Sequence, residues 1–262
     1  MPRLAVVTGA SAGIGTAFAE RLAADGWNLL LTGRRAERLG ELRDRLGAAH
    51  GVRVEPVAMD HADEQASAGL ARRLAGETEV ELLVNNAGVA HYMPFAELVA
   101  EKRRELVRVN VETVVHLSGA VVGPMVSRGR GAIVNVASML AFTGSMAARP
   151  LPSRTVYAAT KSFVVTFSQL LAAELEGAGV RVQVVCPGVV RTEFHSRQGM
   201  DVSGAPRMEP EDVVAASLRD LAQGLVVCIP SLSDHAPLDR VFAASEELFG
   251  ASRQATSFDT SR

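Results

Sequence analysis

Two residue types are scarce in this chain, and one of each falls in the same short stretch. Of 27 basic residues only two are lysines, Lys102 and Lys161, and the only tyrosines are Tyr92 and Tyr157. Tyr157 and Lys161 stand four apart in Tyr157-Ala158-Ala159-Thr160-Lys161. On a helix that spacing puts both side chains on one face. An ammonium there is expected to lower the pKa of the neighbouring phenol, whose ordinary value is near ~10. In a chain that otherwise uses Arg, a lysine here points to a compact point charge and not a planar fork. A phenol so placed is suited to general acid–base work. The plainer alternative is a helix with one exposed Lys and a half-buried Tyr, and the rest of the chain decides between them.

The elements that must position this pair alternate along the chain. Leu4 to Thr8 reads as a buried strand, and Gly9-Ala10-Ser11-Ala12-Gly13-Ile14-Gly15 leads into a helix from Thr16 to Ala24. Such a turn lets backbone approach a ligand closely, and the free N–H groups of the helix start can hold a diphosphate. Its spacing differs from the commoner Gly-x-Gly-x-x-Gly. Trp27 to Thr32 is the second strand, ending at Gly33-Arg34-Arg35. About 20 residues past the turn an acid would hold the adenosine ribose of NAD. Here two guanidiniums stand instead, suited to a 2′-phosphate. Arg38 and Arg43 read as a solvated face of the helix that follows. Val52 to Ala58 is a third strand, after which Asp60 either accepts from an adenine amino group or caps a helix starting near Ala62.

Glu81 to Val84 is the fourth strand and runs into Asn85-Asn86-Ala87-Gly88, where backbone is held close to something flat and amides tie neighbouring strands. A helix from about Glu97 to Ser127 carries Asn110 among valines, a poor helix-interior residue and so a sign of a buried polar task. Ala132 to Val136 delivers Ser138. After a loop rich in Gly, Pro and Arg, a helix from Thr155 to Glu176 carries Tyr157 and Lys161. Arg181 to Val185 ends in Cys186-Pro187-Gly188, Pro210 opens a helix to Ala222, and Leu225 to Ile229 is a seventh strand. A last helix spans Ala236 to Phe249, and residues 250–262 read as a frayed tail. The pattern predicts one domain over residues 1–249: a doubly wound, seven-stranded parallel sheet with helices on both faces, binding its ligand at the strand C-termini.

The totals fit. A net charge of −2 gives no pull toward nucleic acid or anionic membrane. Two cysteines in apolar runs make neither a disulfide framework nor a zinc site. The chain leaves no room for a signal peptide before Leu4, and the apolar run Val114 to Val126 is too short to span a bilayer. These features predict a cytoplasmic protein.

Thr8-Gly9-x-x-x-Gly13-Ile14-Gly15, Asn85-Asn86-Ala87-Gly88, Asn110, Ser138, Tyr157-x-x-x-Lys161 and Pro187-Gly188-x-Val190-x-Thr192 together resemble the short-chain dehydrogenase/reductase family, in order and over Leu4 to Ile229. The resemblance implies a catalytic tetrad of Asn110, Ser138, Tyr157 and Lys161. It implies a cofactor site from Gly9, Ser11, Gly13, Ile14, Gly15, Arg34, Arg35, Asp60, Asn86, Ala87, Gly88, Tyr157, Lys161, Pro187, Gly188, Val190 and Thr192. Arg34 after the second strand is similar to the NADP-preferring branch, so NADP(H) is expected over NAD. The segment Gly224 to Pro230 is similar to bacterial ketone reductases. Two departures stand out. Eighteen residues separate Ser138 from Tyr157, more than is usual in the family, with the excess in Gly144 to Arg154. Ala12 occupies a position where NADP-preferring members often carry a basic residue.

The implied reaction moves hydride between NADPH and a small-molecule ketone, aldehyde or secondary alcohol. Tyr157 is the general acid or base, Ser138 orients the carbonyl, Lys161 holds the nicotinamide ribose, and Asn110 holds a proton-passing water. An NAD-dependent alcohol dehydrogenase, a catalytically silent dinucleotide sensor and a sugar-nucleotide epimerase are the competing readings. His91, Tyr92, Met93 and the stretch Phe194 to Met200 are pocket candidates. Each reads equally as surface loop, and His195 reads first as solvated. Apolar helix faces around Val111 to Val122 and Val164 to Leu171 predict a homodimer or homotetramer.

Overall fold

The computed structural model describes residues 3–146, 151 and 153–254. Seven strands form one sheet: β1 Leu4–Val7, β2 Asn28–Gly33, β3 Val54–Ala58, β4 Val80–Asn85, β5 Gly131–Val136, β6 Val180–Val185 and β7 Val227–Cys228. All pairings are parallel, in the order β3-β2-β1-β4-β5-β6-β7. Both faces are covered, which is why the strands read as nearly continuous apolar runs. Side chains still alternate between two cores. Ala5, Val7, Leu29 and Leu31 face one, with Phe18 and Leu22 of helix α1 (Gly13–Ala24) and Leu39 of helix α2 (Ala36–His50). Leu4, Val6, Leu30 and Leu83 face the other, with Leu70 and Leu74 of helix α3 (Glu64–Gly76). Pro56 is tolerated because β3 is an edge strand.

Between β1 and β4 the chain reverses its order of addition to the sheet, opening a crevice at the strand C-termini. The glycine turn and Asn86 sit at its two lips. The long helix begins at Ala100, later than the sequence predicts, and is not uniform. Helix α4 (Ala100–Val107) passes through a π-helical turn at Arg108–Glu112 into helix α5 (Thr113–Arg128). As one 29-residue rod it is long and apolar enough to cross a membrane, which Val114 to Val126 alone is not. Leu106, Leu117, Val121 and Met125 are nonetheless buried in the protein. Helix α6 (Thr155–Glu174) carries the Tyr–Lys pair, a four-residue helix α7 spans Glu193–Ser196, and helix α8 is Pro210–Ala222 with Pro at its first turn.

The sheet lies in a unit covering Met1–Pro230, and Ser231–Arg262 forms a second unit containing helix α9 (Ala236–Gln254). That helix continues past Phe249, where the sequence predicts a tail. Residues 255–262 of the expected tail, and 147–150 and 152 of the long loop, lie outside the described residues.

Candidate active site

Glycines and amides build the crevice floor. Gly9 has φ +66°, and a Cβ there would lie 2.9 Å from the Ala87 Cα. A Cβ on Gly15 would meet the Gly9 carbonyl and come within 2.5 Å of the Asn86 Nδ2. The turn therefore packs directly on the Asn86-Ala87 backbone. Asn86 Nδ2 donates to the carbonyls of Thr8 (2.9 Å) and Gly9 (3.3 Å), and the Thr8 hydroxyl accepts from the Asn86 and Ala87 N–H groups at 2.9 Å each. Asn85 Nδ2 donates to Asn135 Oδ1 at 2.9 Å, and Asn135 Nδ2 donates to Ser168 Oγ at 2.9 Å. The expectation that these amides tie neighbouring strands is met. Thr192 closes over Gly13, whose Cβ would fall 2.6 Å from the Thr192 methyl.

Asn110 lies in the π-turn, fully buried. Its Oδ1 accepts from Val89 N (3.0 Å), and its Nδ2 donates to Val89 O (2.9 Å) and Thr160 Oγ1 (3.1 Å). The Thr113 hydroxyl donates five residues back to Arg108 O at 2.9 Å, which suits the widened turn. The polar task read from sequence is thus a clamp on the chain leaving β4. Both amide donors of Asn110 are committed to it.

Tyr157 and Lys161 are 5% and 4% exposed, so the reading of an exposed lysine fails. Lys161 Nζ donates to the Val136 carbonyl at 2.8 Å and lies 5.9 Å from the Tyr157 ring centre. Burial lowers its pKa to about 8, against a smaller opposing effect of Cys186. Burial likewise drives the Tyr157 phenol well above its ordinary range, helped by Tyr92, while a hydrogen bond with Ser138 pulls it down. The expectation that Lys161 lowers this phenol is corrected: burial sets the direction, the Tyr92 charge adds to it, and Lys161 is not among the groups that shift it. Ser138 lines the same cavity as Tyr157 despite the long insertion. It sits at the cap of a 3₁₀ turn, Met139–Phe142, where its hydroxyl accepts from Leu140 N at 3.2 Å.

One cavity of about 770 Å³ joins the pieces. Its walls include Gly9, Ser11, Gly13, Ile14, Arg34, Arg35, Asp60, Asn86, Ala87, Gly88, Ser138, Tyr157, Lys161, Pro187, Gly188, Val190 and Thr192. Gly15 and Asn110 stand behind that wall as packing. The far end is apolar and aromatic. Tyr92 meets Tyr157 edge-on at 5.5 Å, and His195 stacks over Tyr92 at 6.3 Å with Phe194 against it at 5.5 Å. His195 is therefore wall, and not the solvated residue expected. Of His91, Tyr92 and Met93 only Tyr92 lines the cavity, since His91 turns to Glu105 at 2.8 Å.

Other residues have partners that local spacing does not reveal. Asp60 Oδ1 accepts from Ala62 N at 2.9 Å, but the helix is capped by Asp63, which accepts from Gln65 N and Ala66 N. Arg34 is half-exposed at the cavity mouth, 3.9 Å from Glu105. Arg35 is bound more tightly, donating to Ser11 O (2.6 Å) and to Glu193 (2.8 Å). Arg38, read as solvated, reaches the same carboxylate at 2.6 Å, and Arg197 joins it. Nothing in local spacing could have paired Glu193 with arginines about 150 residues earlier; only the fold does. His61 was also missed. It is buried in the cavity wall, bonded to the Thr32 hydroxyl at 2.8 Å, with its pKa lowered to about 4 mainly by burial.

The short chain dehydrogenase family matches this chain over residues 3–202. The chain belongs to that family. This short-chain dehydrogenase is 35% identical to sulfoacetaldehyde reductase 2 of Chromohalobacter salexigens over 246 residues, 92% of this chain and 93% of the other. Among solved structures it is similar to a short-chain dehydrogenase from Sphingobium yanoikuyae in complex with NADPH, at 36% identity and TM-score 0.92 over 99% of both chains. It is also similar to a bulky-bulky ketone specific alcohol dehydrogenase from Comamonas testosteroni, at 30% identity and TM-score 0.87 over 98% of this chain and 97% of that one. The short-chain dehydrogenase is accordingly an oxidoreductase with a nicotinamide-cofactor fold.

Proposed function

We propose that this protein reduces a small-molecule ketone or aldehyde, or oxidises the matching secondary alcohol, with NADP(H) preferred over NAD(H). The observation that carries the reading is that buried Tyr157 and Lys161 line, with Ser138, the same cavity as the glycine turn and two arginines. The crevice fits a dinucleotide. Gly9 and Gly15 leave no room for a Cβ, the start of α1 offers free N–H groups, and Arg34 and Arg35 flank the position of an adenosine 2′ group. Gly9 to Gly15 would hold the diphosphate, Arg34 the 2′-phosphate, and Asn86 to Gly88 with Pro187 to Thr192 the remaining length. The bound nicotinamide supplies or accepts the hydride.

The protein's own groups handle the proton. Burial keeps the Tyr157 phenol protonated at neutral pH, so its Oη is ready to donate to a developing alkoxide. The Ser138 hydroxyl, on the same cavity wall as Tyr157, orients the carbonyl oxygen and stabilises its charge. Lys161, anchored on Val136, points its ammonium at the crevice floor, where ribose hydroxyls would lie. In the oxidative direction the phenol must first lose its proton, which favours reduction at neutral pH.

An NAD-dependent alcohol dehydrogenase is the second reading, favoured by Glu193 sitting on Arg35 and by Ala12 in place of a basic residue. A panel of ketones, aldehydes and quinones with NADPH and NADH separates the two. Tyr157→Phe serves as control: it retains fold and NADPH binding and loses turnover by a factor of about 100 or more. An unchanged rate in that variant removes the Tyr157 assignment. The two buried thiols, Cys186 and Cys228, fit a cytoplasmic location. A homo-oligomer is supported by Phe163 stacked on Phe167 and by the exposed Leu170, all on α6, and light scattering tests it.

A further inference from the structure

Three guanidiniums share one carboxylate beside the glycine turn. Glu193 Oε2 lies 2.8 Å from Arg35 Nη1, its Oε1 lies 2.6 Å from Arg38 Nη1, and Arg197 reaches it from one helical turn on. The arginines come from the loop after β2, from α2 and from the residue that ends α7, so the fold has assembled the cluster. Three cations contact one anion, so the groups in direct contact carry a surplus of positive charge. Arg34 adds a fourth cation nearby, and its own acid, Glu105, is 3.9 Å away and also bonded to His91. Glu193 and Arg35 line the main cavity, and Glu193 and Arg38 line a second, adjoining cavity of about 520 Å³ that also contains Ser11. A planar carboxylate in a guanidinium cluster has the chemistry of one face of a phosphate monoester, and the dianion matches the surplus positive charge better.

Resting on the cofactor reading above, we infer that Glu193 is an internal competitor for the adenosine 2′-phosphate: it holds Arg35, Arg38 and Arg197 until a 2′-phosphate takes its place. The carboxylate is suited to that role. Its pKa is held down at about 2 by Arg38 first and then Arg35, so it stays ionised across the working pH range. All four side chains are at least a quarter exposed, so each pair is individually weak and exchangeable. Glu193 is thereby a specificity-determining residue: it weakens NADPH binding and leaves NADH, which lacks the 2′-phosphate, nearly untouched. It also follows Thr192, which covers Gly13, and precedes Phe194 and His195 of the substrate wall.

Calorimetric titration of Glu193→Gln with NADPH and with NADH tests this. The NADPH Kd is expected to fall about five- to tenfold, the range that three partly exposed ion pairs carry, and the NADH Kd to move less than about twofold. Adenosine 2′-monophosphate, which has the phosphate and no nicotinamide, is expected to tighten by a similar factor. Glu41→Gln removes an equal charge from the wall of the second cavity and should leave the NADPH-to-NADH ratio unchanged. A Glu193→Gln ratio equal to that of the unaltered protein, or weaker NADPH binding, overturns the inference while leaving the cofactor reading intact. So does an equal shift in the Glu41 variant. An unaltered protein that binds neither dinucleotide overturns both. If Glu193→Gln does not fold, Glu193→Asp, which draws the charge back by one methylene, is expected to shift the ratio in the same direction by a smaller factor, and no shift there also overturns it.

Discussion

Tyr92 meets Tyr157 ring edge to ring face, with centroids 5.5 Å apart and planes at 71°. Tyr92 is itself buried enough for its pKa to rise to about 12. Both its charge and its hydrogen bond act to raise the Tyr157 pKa further. Tyr92→Phe keeps the ring contact and removes the hydroxyl. It is expected to shift the rising limb of alcohol oxidation to lower pH, because the Tyr157 phenolate forms more easily. The pH profile of kcat/KM in the oxidative direction measures this, and a limb that stays in place or moves up excludes the coupling.

Lys161 makes a stability prediction with a definite sign. Its folded pKa, about 8, lies below the ordinary value of 10.5 because burial disfavours the ammonium. Between those two values the unfolded chain binds more protons than the native one, so this group adds stability as pH rises through that window. Below about pH 8 it is a cost. Lys161→Met removes the ionisable group and with it the window. The melting temperature of the unaltered protein relative to this variant is expected to climb between about pH 8 and 10.5. Turnover is expected to be lost at every pH, since no ammonium remains at the crevice floor to hold the ribose hydroxyls.

Gly15→Ala is expected to abolish NADPH and NADH binding together. The new methyl would meet the Gly9 carbonyl and the Asn86 amide, and the carbonyl is backbone that cannot swing aside. Overpacking of this kind costs typically about 1–3 kcal/mol, visible as a lower melting temperature. Gly40→Ala on α2, where a Cβ would meet nothing within 4 Å, is the matched control and should leave both quantities near normal.

Arg34→Ala is expected to raise the NADPH Kd by about tenfold, on the scale of one charge-assisted phosphate contact, and the NADH Kd far less. Equal effects on the two in a direct titration would remove Arg34 from the phosphate site and leave the cluster around Glu193 as its remaining candidate.

Much of this protein was decided by its sequence alone. Strand–turn–helix alternation determined the parallel, doubly wound sheet, because apolar runs of strand length separated by amphipathic helices can bury themselves in few other ways. Order and interval of the glycine turn, Ser138 and Tyr157-x-x-x-Lys161 placed these residues on one crevice, because a parallel sheet brings all strand C-termini to one edge. What lies between distant residues needed the tertiary structure. Local spacing suggested that Lys161 would acidify Tyr157, but the surrounding core buries both, and burial and Tyr92 set the direction of the Tyr157 shift upward. Asn110 was legible as a buried polar residue, yet its partner, the backbone of Val89, was not. Arg38 looked like solvated helix surface until Glu193, 155 positions later, was folded against it. A charge's neighbours, and so its energy, depend on which segments the fold brings within a few ångströms, and no local pattern records that.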